Sequence, residues 1–92
     1  MLYYDAACVH AALARLTLQD QRRPPAERQQ LADRDLERAL ALLDKARSGD
    51  EFKEMIHLDE IRRERLLDPL RSDHRFQDLM LDLAFPDDPL QP

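Results

Sequence analysis

Residues 33–49, DRDLERALALLDKARSG, decide how this chain folds. Leu36, Ala39, Leu43 and Ala46 follow one another at offsets of three, four and three, which lines their side chains along one stripe of an α-helix. Leu40 and Leu42 widen the stripe, while Glu37, Arg38, Asp44, Lys45 and Arg47 supply a polar outer surface. An apolar stripe needs a partner, and its two alanines let a second helix come close. Gly49 predicts a left-handed end to the helix, a conformation that costs residues carrying a Cβ about 1 kcal/mol or more.

The partner stands upstream. A first helix is expected from Tyr3 or Tyr4 to about Gln19, with Ala7, Ala11, Ala14 and Leu18 on its inner face and Cys8 and Leu13 broadening it. Arg22-Arg23-Pro24-Pro25 interrupts the pattern, and Pro25 suits a first helical turn because its missing N–H has no partner to lose there. The second helix then spans residues 25–48, roughly 36 Å at 1.5 Å per residue. So short a connection predicts an antiparallel hairpin.

Downstream, Phe52, Met55 and Ile56, with Leu58 and Ile61, predict a helix over residues 51–63. Asp68-Pro69 breaks the periodicity and leaves a compact turn or short helix at 66–71, whose Leu67 and Leu70 close the core. A final helix is expected over 75–83, capped by Asp73, with Phe76, Leu79, Met80 and Leu83 facing inward. Pro86, Pro89 and Pro92 stop regular structure. The expectation is an all-α helical domain over residues 1–85, followed by a flexible or loosely docked tail over 86–92.

Ninety-two residues suit one small domain, and a hydrophobic fraction of 43% is adequate for its core. The formal charge of -5 arises wholly in the second half: residues 1–50 carry eight basic and eight acidic groups, residues 51–92 six and eleven. This balance disfavours phosphate-backbone binding, so no nucleic-acid partner is expected, and a basic partner is the milder inference. No apolar run is long enough to cross a membrane, and Met1 opens no secretory signal, so a cytoplasmic protein is expected. Met1 running almost directly into a helical pattern predicts a piece of a longer protein. Cys8, the single cysteine, can form no intrachain disulfide and reads as a buried, inert thiol.

No catalytic pattern emerges. One glycine precludes a multi-glycine phosphate or dinucleotide loop, and neither Ser48 nor Ser72 lies in a nucleophile elbow. Asp59-Glu60 and Asp87-Asp88 are adjacent carboxylates without the shared cavity and separated roles that acid and base catalysis requires. His10, His57 and His74 are scattered and read as surface or locally hydrogen-bonded groups rather than metal ligands. Arg22, Arg23 and Arg28 read as a solvated turn. The expectation is a protein that is not an enzyme and holds no cofactor or metal.

Tyr4, Ala7, Cys8 and Ala11, followed by Ala39, Leu43 and Ala46, resemble the large and small positions of the two helices of a tetratricopeptide repeat. The spacing departs from the family. Cys8 and Ala39 are separated by 31 residues, against about twelve in a usual 34-residue repeat, and longer helices on either side of Arg22–Pro25 would absorb the excess. YDAACVHA, ALALLDKA and LLDPLRSDHRF are also similar to repeat regions at the carboxyl ends of large bacterial serine/threonine kinases. The resemblance implies a tetratricopeptide-like fold and a noncatalytic interaction or scaffolding module, an accessory region of a larger regulatory protein.

Its partner would be a protein, a peptide or neighbouring helical repeats. Tyr3, Tyr4, Arg15 and Arg38 are the candidate protein-binding residues, because aromatic and arginine side chains dominate interface energetics, with repeat-core packing the competing role for Tyr4. The alternative is a structural repeat cap or homodimerisation module with no separate ligand. An apolar stripe left exposed by folding would favour assembly, and a concave polar groove would favour peptide recognition.

Overall fold

A computed structural model describes residues 2–49 and 58–84, which are helical throughout apart from short connections and include no strand. The elements are α1 (Leu2–Gln19), α2 (Pro25–Ser48), α3 (Leu58–Arg63), a 3₁₀ helix η1 (Arg65–Leu70) and α4 (His74–Ala84). The expected second helix has the observed bounds, and the final one is longer by a residue at each end. Of the helix expected over 51–63, only Leu58–Arg63 falls among the described residues; Phe52, Met55, Ile56 and the tail over 86–92 lie outside them.

The first two helices form the antiparallel hairpin. Ala7, Ala11 and Ala14 of α1 and Ala32, Ala39 and Ala46 of α2 are all fully buried, and side chains this small let two backbones approach closely. Asp20 shapes the turn between them: its Oδ1 accepts the Arg22 N–H at 3.1 Å and its carbonyl accepts the Arg23 N–H at 3.2 Å. Pro24, extended at φ -59° and ψ 147°, delivers the chain to Pro25 at the start of α2. Arg28 then reaches back from α2 and donates to the Leu18 carbonyl at 3.2 Å, satisfying an acceptor that the end of α1 leaves open.

Three expectations about individual side chains need correction. Leu13 is exposed, because it follows Ala11 by two residues, about 200° around the helix, and so faces away from α2. Leu18 points the same way as Ala14 but is 38% exposed, since it stands in the last turn of α1 at the turn end of the hairpin. Gly49 is not left-handed: φ is -89° and ψ 11°, and its N–H bonds to the Lys45 carbonyl at 2.8 Å. A Cβ there would stand 3.1 Å from that carbonyl oxygen, a tight contact that a shift of a few tenths of an ångström would relieve.

The remaining elements close the core over one end of the hairpin. Ile61, Leu67, Leu70, Phe76 and Leu79 join Tyr4, Ala7, Cys8, Ala11, Ala39, Leu42 and Leu43 in one buried cluster, with Leu36, Leu40, Met80 and Leu83 packed around it. Arg71 holds the bend between them. Its Nη2 donates to the carbonyls of Ile61 (3.1 Å) and Glu64 (2.8 Å), its Nε donates to Asp68 at 2.8 Å, and its guanidinium carbon lies 5.8 Å from the centre of the Phe76 ring. Glu64 starts η1 by accepting the Leu66 N–H at 3.1 Å, and Asp73 caps α4 by accepting the Arg75 N–H at 2.9 Å.

Leu43 is the most informative position for the core, being fully buried on the stripe that organises α2. Leu43→Ala is expected to lower unfolding free energy by about 2–5 kcal/mol in urea denaturation. Leu81→Ala, on an exposed side chain of α4, should change it by no more than about 0.5 kcal/mol.

Candidate protein interface

Helix α1 is apolar on two opposite sides. The inner side carries Tyr4, Ala7, Cys8, Ala11 and Ala14, all buried. On the outer side, Leu2, Val9, Leu13 and Leu16 succeed one another at offsets of seven, four and three, which keeps them within about 60° of a common line along the helix. These side chains are 77%, 56%, 43% and 62% exposed. The described fold therefore leaves an apolar ridge along α1 that its own core does not use.

A second surface lies between α2 and α4, an open groove of about 440 Å³. Leu40, Ala41 and Leu79 contribute its apolar lining, and Glu37, Asp44, Asp78 and Asp82 stand with Arg47 and Arg75 along its margins. Both arginines are engaged within the fold. Arg75 donates from Nη1 and Nη2 to the two carboxylate oxygens of Glu37, at 2.9 and 2.6 Å, and from Nη2 to Asp73 at 2.9 Å. Arg47 bridges Asp44 on its own helix and Asp82 on α4. The Arg75 guanidinium, by hydrogen bonding, holds the carboxyls of Glu37 and Asp73 below their ordinary range. These groups are largely in water, so screening keeps each pair's contribution to stability small.

The sequence-predicted residues occupy separate places. Tyr3 is partly exposed near the start of α1, with Lys45 Nζ 6.0 Å from the centre of its ring. Arg15 is exposed on the same helix twelve residues on, about 18 Å along the axis and some 120° around it. Arg38 is exposed on α2, beside a shallow depression that Gln30, Asp33 and Arg34 also line. Tyr4 lies in the core, where burial foremost and its hydrogen bond to Cys8 keep its hydroxyl protonated. The four converge on no common patch.

What residue-by-residue reading missed is the outer ridge, because attention to the alanine face of α1 left Leu2, Val9 and Leu16 unassigned. Their spacing was the available signal. The arginines of the turn are occupied locally: Arg22 pairs with Asp20, and Arg23 with Asp20 and Glu27. His10 spans the hairpin, its Nδ1 standing 3.0 Å from Asp35 Oδ1. Among the described residues, no three His, Cys, Asp or Glu side chains are grouped to hold a metal ion, and no helix is long and apolar enough to cross a membrane. Comparison of the chain with protein-family models, with curated proteins and with solved structures finds no match.

Two outcomes follow from the titrating groups. A carboxyl held below its ordinary pKa stabilises the fold above the unfolded value, about 4, and that contribution is lost as pH falls through the lower folded value. Glu37→Gln is therefore expected to lower Tm at pH 7, with the difference from wild type closing in acid below about pH 4; a gap that stays constant into acid would contradict this. Burial pushes the Cys8 thiol up to about 11, with the Tyr4 hydrogen bond opposing only part of the rise. A disulfide reagent at neutral pH should accordingly modify the native thiol at least about a hundredfold more slowly than the urea-unfolded chain.

Proposed function

We propose that this chain is a noncatalytic protein-association module, a tetratricopeptide-like hairpin that presents the outer face of α1 to another protein surface. The observation that carries the reading is the exposed line of Leu2, Val9, Leu13 and Leu16 on a helix whose opposite side is already packed. Apolar side chains scattered singly are ordinary on a protein surface, but four in one line on a regular helix form a continuous strip that gains from being covered. A rigid helix with such a strip binds without first being ordered, which lowers the entropic cost of association.

Support for the tetratricopeptide-like part comes from the seven positions that carry the resemblance. Tyr4, Ala7, Cys8, Ala11, Ala39, Leu43 and Ala46 are all buried, on the two helices of one antiparallel hairpin. The excess length between the two sets lies within the helices themselves, since α1 continues to Gln19 and α2 begins at Pro25. Peptide recognition by the groove between α2 and α4 is the weaker reading, because its arginines are already bound to carboxylates of the chain.

A photo-crosslinking side chain placed at Val9 in the cells that make the protein tests the reading. The expected result is a defined protein adduct at Val9 that Leu13→Glu abolishes and Leu81→Glu, on α4, leaves intact. No adduct, or one that Leu13→Glu does not affect, would count against association through this face.

A further inference from the structure

We draw no further inference here: the strongest candidate, the exposed apolar ridge of Leu2, Val9, Leu13 and Leu16 along the outer face of α1, belongs to the association surface already described, and nothing in the structure shows what covers it.

Discussion

The close approach of α1 and α2 is the constraint on which the rest of the structure depends. Six alanines, three from each helix, are fully buried, and side chains this small let the two backbones approach closely. Closeness has a cost, because alanine buries little apolar area of its own. The larger residues therefore gather where α3, η1 and α4 cover the hairpin, and Leu42, Leu43, Ile61, Leu67, Leu70, Phe76 and Leu79 provide the burial that the alanines cannot. The core is thus divided between a thin zone that sets geometry and a thick one that supplies hydrophobic stabilisation.

The same division explains why one helix shows two apolar faces. Because the inner side of α1 meets α2 through small residues, its larger side chains are free to stand on the outer side, and Leu2, Val9, Leu13 and Leu16 do. In a helix packed by leucines the large residues are consumed by the core. Here they remain as a rigid, regularly spaced strip, which is the physical basis for reading the chain as an association module rather than a solvated hairpin.

Much of the architecture was legible in the sequence, for identifiable reasons. The bounds of α2 followed from Pro25 at its start and Gly49 at its end, and the inward positions of Phe76 and Leu79 from their spacing. Leu13 and Leu18 were misplaced because counting apolar residues near an alanine stripe ignores their angle in one case and the end of the helix in the other. Gly49 ends the helix where expected but not in a left-handed conformation; its φ of -89° is open to any residue, and a Cβ there would meet only a tight contact with the Lys45 carbonyl. The candidate surface was harder to see. Periodicity identifies which residues share a face, but only the packed hairpin decides which of two apolar faces is covered, and ion pairs such as Arg75–Glu37 join residues 38 positions apart.

Arg71 and Arg75 secure the same part of the chain by different chemistry. The acceptors of Arg71 are mostly main-chain carbonyls, which do not titrate, and a guanidinium keeps its charge throughout the accessible range. Arg75 holds α4 to α2 through carboxylates alone, and those can be protonated. The segment from α3 to α4 is accordingly a lever whose fulcrum rests mainly on groups that do not titrate, with Asp68 the exception, while the polar part of its grip rests on groups that do, so acid loosens how firmly it seats more than it loosens its internal bend.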